Sequence, residues 1–443
     1  MSASHRSRAR KVRNRSRRSP GPRRLFLEQL EDRFLLSGTD PMPGRLVSSF
    51  GNEGLVISSF SADDVATATV VDRDNRILVA GTSTDATDRD FFVARYLEDG
   101  SLDPAFGVNG SLLIDFGGSD EANGLTLDRQ GRIVVAGRTI AGGVSSIAVA
   151  RLTSDGQLDE TFSDDGIAVP RLLPTANGGE AAYGVAIQSN GGIILGGYAT
   201  VTTYVFPNFI TDVEFAVARL TDAGEKDPTF GEDRNHDSIQ DGFTLTTVGQ
   251  ADPLSGAASF DIARSVAVRS SDDAIVLAGD VFTNELGTRP ALVLYNADGL
   301  FENLDVRDEV QGQSFGVTFD KQGKIVAAGQ YSNLFGSLFY TRSGAFETFY
   351  ADEAFPGVAR AVVIQENGKI LLGGSQNVFT DDVFITRLDV TRRPDETFAD
   401  SGTAFLPIGA SGEASAANSI ALTSNGTIIV TGRATTNSGV NRV

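Results

Sequence analysis

Cysteine and tryptophan are absent from this chain, and histidine occurs only at His5 and His236. Without cysteine there is no disulfide framework, no thiol nucleophile and no thiolate-bound metal. Two histidines, one of them five residues from the start, exclude a serine–histidine–aspartate relay and a multi-histidine metal centre from the body of the protein. Long apolar runs are missing too: none approaches the roughly 18 residues that a membrane-spanning helix needs. The chain has 443 residues. A single core stops growing at roughly 250–300 residues, so the interior must be divided between domains or spread over repeats.

Charge is placed unevenly. Residues 1–24 hold nine Arg, one Lys and no acid, whereas the rest sets 28 basic against 57 acidic side chains, a net −29 within the overall −19. A body this acidic repels nucleic acid and suits a soluble protein in a cation-rich exterior. The first 24 residues, rich in Arg, Ser and Pro, contain little that can pack and are expected to be disordered. The alternative is a basic arm that touches nucleic acid or an acidic surface. Beyond them Phe26, Leu27, Leu30 and Phe34 fall at helical spacing, which predicts a short amphipathic helix. Glu28, Glu31, Asp32 and Arg33 make it a poor signal-peptide core. Residues 1–43 are therefore expected to form a basic leader on which no folded unit depends, and 44–443 the folded body.

What the body does contain is one short stretch made seven times. Gly131-Arg132-Ile133-Val134-Val135-Ala136-Gly137 has relatives that close on Gly81, Gly197, Gly279, Gly329, Gly374 and Gly432. Each is a β-branched and aliphatic run, entered through a polar turn such as Asp128-Arg129-Gln130-Gly131, which marks a buried strand after a tight hairpin. Around it the unit that starts at Gly110 offers strands at Ser111–Phe116, Gly124–Leu127, Ile133–Ala136 and Ile147–Leu152. Four short antiparallel strands in roughly 45–60 residues make one blade of a β-propeller. The expected fold is all-β, a seven-bladed propeller, with the last blade short by most of a strand because its unit runs out at Val443. A parallel β-helix is the competing architecture; its rungs are shorter and are not built from hairpins.

Two resemblances follow from these residues. Leu27-Glu28-Gln29-Leu30-Glu31-Asp32-Arg33-Phe34-Leu35-Leu36 after an Arg-rich start resembles the N-terminal motif of planctomycete extracellular proteins, which implies export to the cell surface or beyond. The body resembles the delta-60 repeat, a β-propeller-like family of bacterial surface proteins. That likeness rests on the polar-Gly turns, on Val93-Ala94-Arg95, Val149-Ala150-Arg151 and Val217-Ala218-Arg219, and on the Asp-x-x-Phe-Gly motif at Asp103–Gly107 and Asp227–Gly231. Units four and five depart from it: Leu294 and Phe339 replace the arginine, and Glu302 and Glu347 the aspartate. The resemblance implies a fold and an exterior location, and no catalytic residues.

Three sets of residues compete for a role. Arg95, Arg151, Arg219 and Arg387 each precede an acid by eight residues, at Asp103, Asp159, Asp227 and Asp395. They form either internal clamps between blades or a ring of cations for an anionic polysaccharide. The recurring Phe50, Phe106, Phe162, Phe230 and Phe398 read as core anchors rather than ligand platforms. The insertion that lengthens the interval between Gly197 and Gly279 contains Asp233, Asn235, Asp237 and Asp241 at alternating spacing, with Ile239 offering its carbonyl. That is the way a loop wraps calcium, and it is similar to thrombospondin type 3 and dockerin loops, although Ser238 stands at the usual glycine. A solvated acidic loop is the alternative. The sequence thus points to an exported, monomeric, non-enzymatic binding scaffold for a surface protein or polysaccharide, with structural calcium and no nucleic acid. The alternative is an extracellular polysaccharide-acting hydrolase or lyase, which would need two acids converging on the axis.

Overall fold

The computed structural model of the chain describes residues 26–30, 43–86, 88–173, 179–205, 208–234, 236–249, 259–283, 287–376, 383–399, 401–406, 408, 415–435 and 441–442. All regular elements among them are β-strands. Two early strands, β1 (Phe26–Leu30) and β2 (Leu55–Val56), belong to the last blade. Blade one is β3 (Asp63–Val71), β4 (Ile77–Thr84), β5 (Arg89–Tyr96) and β6 (Ser111–Ile114). Blade two is β7 (Ser119–Leu127), β8 (Ile133–Ala141), β9 (Val144–Leu152) and β10 (Ile167–Ala168). Blade three is β11 (Glu180–Ile187), β12 (Ile193–Val205), β13 (Asn208–Leu220) and β14 (Phe243–Thr246). Blade four is β15 (Phe260–Val268), β16 (Ile275–Thr283), β17 (Gly287–Tyr295) and β18 (Phe301–Val306). Blade five is β19 (Gly312–Phe319), β20 (Ile325–Tyr331), β21 (Leu334–Tyr340) and the first half of β22 (Phe346–Ile364). The second half of β22 opens blade six, with β23 (Ile370–Gln376), β24 (Val383–Leu388) and β25 (Thr403–Leu406). Blade seven is β26 (Ser415–Leu422) and β27 (Ile428–Thr435), followed outward by β1 and β2, with β28 (Asn441–Arg442) also on β27.

The innermost strands touch in the order β3, β7, β11, β15, β19, β22, β26 and back to β3, so the seven blades close into a ring. The interior is correspondingly divided. Seven apolar clusters each lie between two neighbouring blades: Leu78, Phe91 and Val135 between one and two, for example, and Val79, Phe92 and Ile429 between one and seven. This meets the size limit on a single core. The sequence unit is offset from the blade by one strand: Ser111–Ile114, expected to open the second unit, is the outermost strand of blade one. Each unit thereby hands its first strand to the blade before it.

The closing glycines have a specific cause. In every blade the innermost strand carries a β-bulge at one place, as between Ala66 and Ala68, Ala122 and Gly124, or Ala263 and Ser265. The carbonyl oxygen just before the bulge then occupies the space that a Cβ on the closing glycine would need. A Cβ would lie 2.0 Å from the Val65 oxygen at Gly81, 1.9 Å from that of Glu121 at Gly137 and 1.8 Å from that of Ala416 at Gly432. Backbone cannot yield at such distances, so the position admits glycine alone.

The N-terminal segment overturns an expectation. Phe26–Leu30 is not helical; it is a strand between β27 and β2, pairing Phe26 with Gly432, Leu27 with Thr431 and Leu30 with Ile428, and Leu27 with Val56 on its other side. Apolar residues three and four apart suit a helix, but the open edge of β27 offers five residues of ladder that a free helix lacks. In this register Phe26-Leu27-Glu28-Gln29-Leu30 stands where blade one has Phe92-Val93-Ala94-Arg95-Tyr96. Gln29 takes the clamp arginine's place and Val47 that of its aspartate Asp103, so both halves of the charge pair are gone together. The boundary at 43/44 therefore falls inside the propeller, and blade seven is not short. The remainder of the expected helix and the basic leader lie outside the described residues.

Residues 441–442 pair with 435 and 434 on the same edge of β27, and extending that register brings one further position, opposite Arg433, before Phe26 begins. The third strand of blade seven is thus assembled from both ends of the chain. Deleting residues 1–30 is expected to leave blades one to six intact while amide protons of Ile428–Gly432 and Leu55–Val56 lose their protection from hydrogen exchange. Unchanged protection there would show that β1 does not close the ring.

Candidate functional site

On the lower face, where third strands end, the repeated arginines are clamps. Nε of Arg95, Arg151, Arg219 and Arg387 donates to the aspartate eight residues on at 2.8, 2.7, 2.8 and 2.7 Å. Each guanidinium lies over the phenylalanine of its own turn, 4.6–4.9 Å from the centroids of Phe106, Phe162, Phe230 and Phe398. The other end of the guanidinium crosses to the next blade: Arg151 donates to the Asp222 carbonyl at 2.6 Å and Arg219 to that of Ala297 at 3.2 Å. The phenylalanine ring meets a turn glycine of that same next blade, Phe106 against Gly156, Phe162 against Gly224 and Phe230 against Gly299, all with positive φ. Arg151 is fully buried. A guanidinium so enclosed grips no polysaccharide; these residues hold the ring together.

The two departing units solve the same problem differently. Arg269, from the end of β15, donates to the Arg342 carbonyl at 2.7 Å and pairs with Asp272. At the next junction the polarity is reversed, because Arg392 of blade six stacks 4.5 Å over Phe339 and pairs with Glu347, which also receives Lys324. A cavity of about 360 Å³ opens there, lined by Lys321, Lys324, Phe339 and Arg392 among others.

The upper face, which carries the connections between second and third strands, is where the blades differ most. The residue inside each bulge points along the inner ring: Thr67 donates to the Ala122 carbonyl, Asn123 to that of Ala182 and Asn418 to that of Ala66, each across to the next innermost strand at 2.8–2.9 Å. Their equivalents in blades three to six are Tyr183, Arg264, Phe315 and Arg360. A second set of seven follows the closing glycines: Thr82, Arg138, Tyr198, Asp280, Gln330, Ser375 and Arg433. Together these fourteen positions lie at the upper, inner edges of the seven blades, around the mouth of the axis, with Asp280 and Ser375 among them buried.

Contacts tie the larger ones into one wall. Arg138 holds Glu121 through Nε and Nη2 at 2.9 and 2.6 Å, and Arg89 takes the other oxygen of Glu121. The rings of Tyr183 and Tyr198 are 6.1 Å apart. Burial raises the pKa of the Tyr183 hydroxyl, while the charges of Arg138 and Arg264 on either side oppose the rise. Arg264 holds Asp280 through Nε and Nη2 and lies 5.3 Å over Phe315. Burial pushes the carboxyl of Asp280 up in spite of that arginine. None of these residues was singled out from the sequence. They could have been: each bulge residue precedes its closing glycine by fourteen positions, or fifteen in blade four.

A third repeated feature also escaped the sequence. Asp64, Asp120, Glu180 and Asp261, two residues before the bulge in blades one to four, are buried. Each accepts backbone N–H groups of the connection arriving from the blade before, as Asp261 does from Val248 and Gly249 at 2.7 and 2.8 Å. Burial pushes Asp120 up to about 7 and Asp261 to about 6.

In the insertion, Asn235 lies outside the described residues. Asp233 accepts the N–H groups of Asp237 and Ser238, Asp237 accepts that of Ile239, and Asp241 accepts that of Arg234, all at 2.8–3.1 Å. Ile239 is exposed and His236 and Ser238 take positive φ. The donor set is of the hard oxygen kind calcium prefers, and the same carboxylates shape the loop through its amides. Among the described residues, the group of three acids whose oxygens all come within 4.8 Å of one another is Asp88, Asp90 and Asp115, on the upper face of blade one.

Fold and clamp together define a β-propeller repeat protein. The family described as "Domain of unknown function (DUF5122) beta-propeller" matches residues 73–106 and 131–162, in each case from the first hairpin turn to the clamp phenylalanine. No curated protein matches the chain in sequence. Solved structures that resemble it include the periplasmic gluconolactonase PpgL of Pseudomonas aeruginosa, 12% identical with a TM-score of 0.45 over 87% of this chain and 95% of that one. A protein of unknown function from Dyadobacter fermentans is 12% identical, with a TM-score of 0.41 over 84% and 96%. The polysaccharide lyase Uly1 is 11% identical, with a TM-score of 0.42 over 93% and 97%. At this level of likeness no activity carries over.

Two measurements test this assignment of roles. Arg151→Met leaves the buried Asp159 with only Arg132, 3.7 Å away, as a cation and is expected to cost about 3–5 kcal/mol in denaturant unfolding, most of it recovered in Arg151→Met/Asp159→Leu. A loss below about 1 kcal/mol would mean that the clamp is ornamental. The buried acids respond to pH. An acid whose folded pKa lies above its ordinary value takes up a proton on folding, so Asp120 weakens the fold progressively as pH rises from about 4 to about 7. Asp120→Asn should therefore melt higher than the natural protein at pH 8 and lose that advantage toward pH 4; an advantage constant with pH would reject the assignment.

Proposed function

We propose that the protein is an exported, non-enzymatic binding scaffold whose ligand site is the upper mouth of the axis, on blades two to six. The carrying observation is where the repeat stops repeating. Clamp, anchor and bulge glycine serve the ring in blade after blade, whereas the axial positions range from threonine and asparagine to arginine, tyrosine and phenylalanine. Residues that vary on a constant scaffold are free of the scaffold's demands, and ligand choice resides in such positions. The two acids at the mouth, Glu121 and Asp280, are each held by arginine, which suits binding better than acid–base chemistry. Export is supported by the Arg-rich start and by the resemblance of residues 27–36 to an extracellular motif. Calcium is proposed to bind at Asp233, Asn235, Asp237, Asp241 and the Ile239 carbonyl, as a structural ion of the lower-face insertion.

The full chain, immobilised, should retain a polysaccharide or protein from cell-surface extract and release it chemically unchanged. Arg264→Gln and Tyr198→Ala should lose that retention. Chelator should leave retention in place but open the bond near Arg234 to protease, since calcium orders the insertion and not the mouth. A chain lacking residues 1–25, which keeps β1, should fold but stay inside the cell. Shortened polysaccharide in the eluate would establish an enzyme, and retention indifferent to both substitutions would move the site elsewhere.

A further inference from the structure

The mouth runs against the charge of the body around it. Outside the first 24 residues the chain carries a net −29, yet the fourteen axial positions, with Glu121 beside them, hold four arginines against two acids. Two of those arginines belong to the blades on either side of an aromatic step, Arg138 to blade two and Arg264 to blade four, with Tyr183 and Tyr198 in blade three between them. Both are fixed in the same way, with the Nε–Nη2 edge docked on a carboxylate, Glu121 or Asp280. In neither does Nη1 have a hydrogen-bond partner among the described residues. A guanidinium held by one edge presents the N–H groups of its other end in a fixed direction, with its ordering entropy already spent in folding.

Such a step between two oriented cations matches a ring with an apolar face and an anionic substituent. A pyranose offers C–H groups on its face for tyrosine to cover, and a carboxylate or sulfate at its edge for guanidinium. The acidic body adds a restriction. It repels any long polyanion laid across the face, over distances of about 10 Å at 0.1 M salt and about 30 Å at 0.01 M. Resting on the reading of the mouth as the ligand site, we infer that it binds the end of an acidic polysaccharide chain, one or a few anionic pyranose rings stacked on Tyr183 and Tyr198 with the charged group on Arg138 or Arg264.

Calorimetric titration of the full chain separates the possibilities. Trigalacturonate and sulfated maltotriose distinguish carboxylate from sulfate; neutral maltotriose, polygalacturonate and a thymidylate trimer are the comparisons. At least one of the acidic trimers should bind and maltotriose should not. Polygalacturonate should bind no more tightly per chain end than trigalacturonate. Its affinity should also fall less between about 0.02 and about 0.15 M salt, because screening relieves its repulsion from the body. Tyr198→Ala, with Tm unchanged, and Arg264→Gln, which leaves the buried Asp280 without its cation and is assayed at a temperature where its circular dichroism shows it folded, should each weaken the acidic trimer about tenfold or more, while Lys321→Gln on the lower face should not. Neutral trimer binding equally, affinity that grows with polymer length, or thymidylate binding tightest would overturn the ligand class. If Arg264→Gln and Tyr198→Ala abolish capture from extract while neither acidic trimer binds, the mouth remains the site and this ligand falls. If both variants capture normally, the mouth itself falls.

Discussion

The structure depends on a collision that glycine avoids. Seven times an innermost strand bulges, and seven times the carbonyl before the bulge enters the space of a Cβ on the neighbouring strand. The bulge is what turns one residue per blade toward the axis, so the glycine that permits it also creates the inner ring. The most regular mark in the sequence and the most variable positions in the molecule are two sides of one backbone irregularity.

The faces then divide the work. Below, a guanidinium, a carboxylate and a phenyl ring of one blade meet a carbonyl and a turn glycine of the next. Because the cation is both paired and stacked, its burial is tolerated, and each contact crosses the apolar cluster between blades. Junctions four–five and five–six use other residues for the same end, which shows that the constraint is the crossing itself rather than any one arginine. Above, backbone N–H groups arriving from the preceding blade are gathered by Asp64, Asp120, Glu180 and Asp261 in blades one to four, and Gly312, Gly357 and Ser415 stand at the equivalent positions of the other three. Arg138, Tyr183, Tyr198 and Arg264 stand in blades two to four, where those acids fasten the arriving connection and the neighbouring inner positions carry no repeated residue.

Much of this is legible in the sequence. Turn glycines, β-branched runs and closing glycines gave strands and their number, since these are local signals, and the spacing of Arg151 to Asp159 gave the clamp because both partners lie in one turn. What failed was non-local. Phe26, Leu27 and Leu30 suit either a helix or a strand, and the edge that decides between them is about 400 residues away at Ile428–Gly432. The mouth was missed because a residue such as Tyr183 has no chemistry of its own until the ring sets it between two guanidiniums. Asp120 reads as one more acid in an acidic chain until the fold removes it from water. The calcium loop was picked out because its pattern is contiguous; its side chains already serve the loop's own amides, so the pattern alone does not say how many oxygens an ion would find.

The way blade seven is assembled has a consequence for how the ring is held closed. Residues 441–442 and Phe26–Leu30 lie end to end along β27, in one register and one direction, as the single third strand of the other blades does. The two halves of that strand come from segments about 400 residues apart, so the ring closes through a backbone ladder in a blade that carries neither half of the clamp. In topological terms the circle is fastened there by main-chain pairing rather than by the charge pair of the repeat.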